Sequence, residues 1–376
     1  MTSTRFLHTS DLQIGMDRHF LDDDAQARFN DARLRAITRL GEVAREQDCE
    51  FIVVAGDVFE KNSLSAQTTA RALEALKQLP VPVYLLPGNH DPLVADSIFY
   101  RTTGIEGVHV LADSEPVQVS AGVELVGAPL LSRYATVDLV GQALAGLSPY
   151  DGVRIAVGHG QAHSRAAEAT PDLIDLESVE QKLADGTIDY LALGDTHSAQ
   201  PVGDSGRVWF SGAPETTDFH DLTPGVAGGE VNSGKVLVVE VGGGAVDVQE
   251  VEVGQWTFHA LFAELTDTTD VDEFLARLSA YPDKARTVIK YALRGTLGLS
   301  DHRRLTQGLT RLAPAFAALY ERERLMDLHL EPGEDEIEAM NLSGYTGAAV
   351  DELVERREEP AARDALNLLF RLSKEA

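Results

Sequence analysis

Five short apolar runs in this chain each stop on a residue that can bind a metal ion, and no other feature constrains the fold as much. Residues 83–86 read as a buried strand that halts at Pro87-Gly88, a pair that forces a turn. Asn89, His90 and Asp91 follow at once. Residues 6–10 lead to Asp11, 51–55 to Gly56-Asp57, 155–157 to Gly158-His159, and 190–193 to Gly194-Asp195-Thr196-His197. Each ending alone could be a helix cap. In four of the five a glycine precedes the first polar group, which suits close backbone approach in a crowded site.

Open α/β sheets place their chemistry at the carboxyl ends of parallel strands. Five such ends together predict one rim of carboxylate, amide and imidazole, a ligand set suited to two divalent cations and phosphoester hydrolysis. The intervening sequence agrees. Asp22, Asp23 and Asp24 open a helix whose apolar residues (Ala25, Phe29, Ala32, Ala36, Ile37, Leu40, Val43) keep helical spacing. A second helix is expected over 65–79 and a third over 137–147. Strand–helix alternation predicts a parallel sheet with right-handed crossovers. From residue 108 the strands shorten and a more antiparallel half is expected. Residues 235–241 and 246–253 form a hairpin around Gly242-Gly243-Gly244.

The motifs Asp11-Leu12-Gln13, Gly56-Asp57, Gly88-Asn89-His90-Asp91, Gly158-His159 and Gly194-Asp195-Thr196-His197 resemble those of the calcineurin-like metallophosphoesterases. Within that superfamily His8-Thr9-Ser10-Asp11, Gly56-Asp57-Val58-Phe59 and Phe210-Ser211-Gly212-Ala213-Pro214-Glu215 are most similar to the SbcD-type exonucleases of double-strand-break repair. The resemblance covers about two thirds of the chain by motif. It implies an α/β two-sheet sandwich with flanking helices (residues 1–255), a small α/β cap that engages DNA (256–330), and a linker with C-terminal helices (331–376). Those helices either pack on the cap or grip an SMC/ABC-type ATPase. The resemblance also implies a homodimer within a heterotetramer. In the site it implies, Asp57 bridges two divalent cations; oxygen in place of nitrogen at Gln13 and Asp195 favours harder ions, manganese ahead of magnesium. Asp11, Gln13 and His197 complete one site, and Asn89, His159 and Asp195 the other. His90 contacts the phosphate and assists the leaving oxygen, with Asp91 orienting it. Two positions depart from the family pattern: Gln13 and Asp195 stand where histidines are usual. Glu60 stands where relatives carry His.

Charge complicates the choice of substrate. The chain carries 60 acidic against 32 basic residues, a net charge of −28 that repels phosphate backbones. Between Arg277 and Arg324, however, ten basic residues face four acids. Lys290, Arg294, Arg303 and Arg304 are the candidates for DNA contact there; the alternative is an ordinary solvated surface. One cysteine, Cys49, excludes an internal disulfide, and no apolar run is long enough to cross a bilayer. A cytoplasmic setting, with no signal-peptide pattern, is the expectation. The reading is a metal-dependent DNA exonuclease or endonuclease. The alternatives are a phosphoesterase on small nucleotides or phosphoproteins, and a non-catalytic DNA- or partner-binding subunit with a decayed site.

Overall fold

Successive side chains of a strand point to opposite faces, and here both faces are apolar. In β1 (Ser3–Thr9) and β2 (Phe51–Val54), Phe6, Phe51 and Val53 enter one buried cluster while Leu7, Ile52 and Val54 enter another. Such strands need cover on both sides. The structure is a computed structural model, and it describes residues 2–163, 170–226, 228–330, 344–356, 359, 361–362, 365–366 and 368–369.

Two six-stranded sheets supply the cover. The first runs β15 (Ala245–Glu252), β14 (Lys235–Gly242), β1, β2, β3 (Val83–Leu85), β4 (Val108–Val110). The second runs β11 (Gln200–Val202), β12 (Val208–Phe210), β10 (Tyr190–Gly194), β7 (Val153–His159), β6 (Val123–Gly127), β5 (Val117–Ser120). Phe6, Phe51 and Tyr84 of the first share one core with Leu125, Ile155, Val157 and Tyr190 of the second. Helices α1 (Asp23–Glu46) and α2 (Ala66–Lys77) cover the outer face of the first sheet through Ile37, Leu40 and Leu76. Helices α3 (Leu139–Ala145) and α4 (Leu176–Ala184) cover the second through Val140, Leu144, Val179 and Leu183. The result is a layered α/β sandwich.

Local signals behave as the chemistry requires. The side chain of Asp22 caps α1 by accepting from Ala25 N at 2.7 Å, and Ser65 caps α2 in the same way. The second half of the sandwich corrects an expectation. Its central strands β6, β7, β10 and β12 are parallel, and only the edge strands β5 and β11 are antiparallel. Crossovers through α3 and α4 permit parallel pairing there. The helix α4 and the small pair β8 (Ala162–His163) and β9 (Ile174–Asp175) were not foreseen. The β14–β15 hairpin forms around 242–244 as expected, but β14 pairs antiparallel with β1 and so widens the first sheet.

By its packing the chain divides into two units, Met1–His220 with Gly228–Phe258, and Asp221–Ala227 with His259–Ala376. A further sheet, most of whose residues belong to the second, comprises β16 (Thr257–Leu265), β17 (Thr287–Leu297), β18 (Ala318–Glu321), β19 (Asp327–Leu330) and β13 (His220–Asp221). Helices α5 (Thr268–Ser279) and α6 (Leu299–Leu312) pack on it through Phe274, Leu278 and Leu305. A further helix, Tyr345–Glu355, buries Val350. The linker expected at 331–335 and much of the second terminal helix lie outside the described residues.

Candidate metal centre

Each candidate ligand sits where a strand stops. Asp11 follows β1, Asp57 follows β2, Asn89 and His90 follow β3, His159 ends β7, and Asp195 and His197 follow β10. Parallel strands in two facing sheets bring these ends to one rim. Ligand atoms of Asp11, Asp57 and His159 lie within 4.8 Å of one another, and all three residues are buried. His159 Nε2 is 3.4 Å from Asp57 Oδ2 and 3.7 Å from Asp195 Oδ1. His197 Nε2 is 3.5 Å from Asp11 Oδ1, and Gln13 Nε2 is 3.4 Å from the same imidazole nitrogen. The structure thus gathers Asp11, Gln13, Asp57, Asn89, His159, Asp195 and His197 around one point, including both departures from the usual histidines.

Backbone geometry marks the same residues. Asp11 (φ 54°), Gln13 (φ 43°), Asp57 (φ 51°) and Asp195 (φ 92°) hold left-handed conformations. Among the described residues the only other non-glycine in that region is Asp48, just beyond α1. Such conformations cost free energy and cluster at functional sites. Two hydrogen bonds, Asp11 N to Gly56 O and Gln13 N to Asp57 O, hold the turns. Gly88 permits the crowding: a Cβ there would lie 2.1 Å from Asp57 Oδ1.

Hydrogen bonds set the imidazoles. His159 Nδ1 donates to Ala55 O at 2.8 Å, which leaves Nε2 as the ligand atom. Burial alone would lower the pKa of His159, but Asp57, Asp11 and Asp195 outweigh it and raise it. In the same way Asp11 and Glu230 raise His197 to about 10 against burial. Both imidazoles therefore face carboxylates that favour positive charge beside them, which a bound metal could supply in place of a proton.

The donor set fits divalent cations. Among the described residues Gln13 Oε1 is buried with no hydrogen-bond partner, and buried Asp11 Oδ1 has only the ion-pair contact with His197 Nε2 at 3.5 Å. Asn89 Oδ1 sits 2.8 Å from His159 Nε2 and faces only acceptors. Reversing the amide would let it donate to Asp57 and His159. A cation between the three relieves the same repulsion, as oxygen and imidazole ligands do around hard divalent ions.

His90 lies beside this ring. Its backbone N donates to Asp57 Oδ1 at 2.9 Å, and its Nε2 is 4.0 Å from Asp57 Oδ2. The expected orienting role of Asp91 is corrected. Asp91 accepts from Phe59 N and Gly88 N at 2.9 and 2.8 Å, and so braces the turn. Burial and the Asp57 charge push its pKa up to about 8 against those two donors. The neighbour of His90 Nδ1 is Glu60, through its carbonyl at 3.2 Å and its carboxylate at 3.7 Å. Other contributors were missed: Gln161 donates to Asp195, Ser10 donates to Asp11 Oδ2 at 2.5 Å, and Glu230 stands behind His197. Arg33 was also missed, although it interrupts the apolar stripe of α1, a legible signal.

With the geometry in place, comparison with known proteins is direct. A model of the family described as calcineurin-like phosphoesterase matches residues 4–199, more than half of the chain. The chain belongs to the calcineurin-like phosphoesterases. Among curated proteins it is similar to an uncharacterized metallophosphoesterase, YhaO, of Bacillus subtilis, 26% identical over 126 residues. That match spans 32% of this chain and 30% of the relative. It is also similar to the DNA double-strand break repair protein Mre11 of Archaeoglobus fulgidus, 29% identical over 100 residues, 26% of this chain and 21% of that protein. The matches thus span under a third of either relative. Among solved structures, a dimetal phosphatase from Danio rerio aligns with a TM-score of 0.38 at 12% identity, over 66% of this chain and 98% of that one.

The second unit of this phosphoesterase holds the four basic candidates for DNA contact. Arg304 binds Asp272 with both arms, at 2.6 and 2.8 Å, and Arg294 faces Asp327 at 3.7 Å. Arg303 is exposed on α6, and Lys290 is half-buried on β17. Over 259–330 ten basic side chains meet ten acids, so the local excess counted over 277–324 disappears. Among the described residues no helix is long and apolar enough to cross a membrane.

Proposed function

We propose that this phosphoesterase is a metal-dependent DNA nuclease that cuts phosphodiester bonds, working with an SMC/ABC-type ATPase as a homodimer within a heterotetramer. The observation that carries the phosphodiester chemistry is the buried ring of Asp11, Asp57 and His159, beside a Gln13 carbonyl oxygen that has no hydrogen-bond partner among the described residues. The DNA substrate is supported by the sequence motifs and by the partial similarity to the Archaeoglobus repair protein. Two divalent ions, manganese for preference, would be held by Asp57 between Asp11, Gln13 and His197 on one side and Asn89, His159 and Asp195 on the other. Bound there, they supply an acidified water and relief of charge on the phosphoryl oxygens.

The protein's own groups do the rest. Glu60 holds His90 Nδ1, so His90 Nε2 is presented at the rim beside Asp57, where it can give a proton to the leaving oxygen. The unit 256–330 is proposed to engage duplex DNA, and the terminal helices the ATPase. One observation favours a second reading, a phosphoesterase on small nucleotides: Arg304 and Arg294 are already engaged by carboxylates, and the chain is strongly acidic.

The test is hydrolysis of linear DNA, circular DNA, mononucleotides and an activated phosphodiester, each with manganese, magnesium or chelator. Metal-dependent loss of linear DNA supports the nuclease. Turnover of nucleotides alone favours the second reading. No turnover of any substrate with any metal would refute both.

A further inference from the structure

Glu230 is a buried carboxylate with no lysine or arginine bound to it among the described residues. It accepts from Thr217 N and Asp218 N, each at 2.8 Å, and from the Thr217 hydroxyl. Its Oε2 is 3.4 Å from His197 Nδ1, and the Thr217 Oγ1 lies between the two groups in hydrogen-bond contact with both. A hydroxyl has one proton to give. Glu230 has no proton to offer as a carboxylate, so Thr217 donates to it and accepts from His197 Nδ1–H.

We propose that Thr217 and Glu230 are positioning residues of the metal centre, an imidazole–hydroxyl–carboxylate relay that holds His197 with its Nε2 on the side of Asp11, where a cation would take it as a ligand. This rests on His197 being a metal ligand, as read above. Three donors pin the carboxylate, so the relay has a fixed end. A carboxylate behind a ligating histidine fixes its tautomer and raises its basicity, and removing such a partner costs ~10–100-fold in metal affinity. The relay also compensates for Gln13. Where a second imidazole is absent, His197 is the remaining nitrogen ligand beside Asp11, and its donor strength matters more.

The test uses Mn2+ alone, titrated calorimetrically into the full chain, with Co2+ visible absorption as a report on the nitrogen ligand. Thr217→Val deletes the hydroxyl but keeps the backbone N–H to Glu230. Thr217→Ser keeps both, and Glu230→Gln removes the charge. The expected result is a ~10-fold or greater loss of affinity for one of the two cations in Thr217→Val and Glu230→Gln, with altered Co2+ bands. Thr217→Ser should bind like the parent, and the metal-free melting temperature of Thr217→Val should stay close to it. Parent-like affinity in Thr217→Val, or equal weakening in Thr217→Ser, would overturn the relay while leaving the metal centre standing. A parent protein that bound no Mn2+ would instead overturn the metal centre itself, and the relay with it.

Discussion

Replacing Arg33 by methionine should leave the fold standing and loosen the metal site. Arg33 is 1% exposed on the inner face of α1. Its guanidinium donates to Leu12 O at 2.9 Å and Thr216 O at 3.1 Å and lies 4.6 Å from the Phe29 ring. Burial pulls its pKa down to about 10, against the raising effect of Glu215 and Glu230. Against the ordinary arginine value that is a penalty of roughly 3–5 kcal/mol on the charge. Two bonds from a charged donor contribute roughly 3–6 kcal/mol in the other direction. Those terms nearly cancel, and methionine fills much of the volume. The stability of Arg33→Met should therefore lie within ~3 kcal/mol of the parent. Leu12 precedes Gln13, and Thr216 precedes Thr217. Without Arg33 the loop of the candidate ligand Gln13 and the loop of Thr217, which stands behind His197, lose their common tether, so Mn2+ affinity should fall at least ~10-fold. Arg33→Lys should be less stable than Arg33→Met, because a point charge reaches one carbonyl and still bears the burial penalty. Urea unfolding of the metal-free proteins, followed by the fluorescence of Trp209 and Trp256, gives the first quantity and calorimetry the second. A loss beyond ~5 kcal/mol in Arg33→Met would show the charge to be net stabilising. Unchanged Mn2+ affinity would refute the tether.

Other expectations follow from the same geometry. Burial holds the His8 pKa at about 3 although Leu193 O accepts from its ring, so the unfolded chain takes up a proton first as pH falls. The stability it contributes is complete above its ordinary pKa near 6.5 and is lost as pH falls toward 3; between pH 7 and 5 its share, read in urea unfolding as the change in the difference between the parent and His8→Leu, should be about 2 kcal/mol. Asp57→Asn should abolish hydrolysis of an activated phosphodiester while circular dichroism stays that of the parent. Gly88→Ala puts a methyl 2.5 Å from Asp57 N as well as on its carboxylate, so both melting temperature and Mn2+ binding should drop. With manganese saturating, Asp195→His removes one negative charge and should move the rising limb of the pH–rate profile to lower pH; a limb that stays put refutes the charge argument.

What could be read from the chain was what depends on neighbours in sequence. Continuous apolar runs, the glycine before four of the five polar endings, and the caps Asp22 and Ser65 are local. They located β1, β2, β3, β7 and β10 and the residues at their ends. What had to wait for the tertiary structure involves partners far apart. β14 returns to β1 across more than two hundred residues because an exposed strand edge accepts any well-matched strand, and register is invisible from either strand alone. Arg304 meets Asp272 from another helix, so a count of basic residues along 277–324 could not show that its charge is engaged. His90 faces Glu60 while Asp91 turns to two backbone amides, because direction around a tight turn depends on the donors packed against it. The five strand ends named the candidate ligands; which group stands behind each of them was decided only when the loops closed on one another, since a hydrogen bond is set by distance in space and carries no period along the chain.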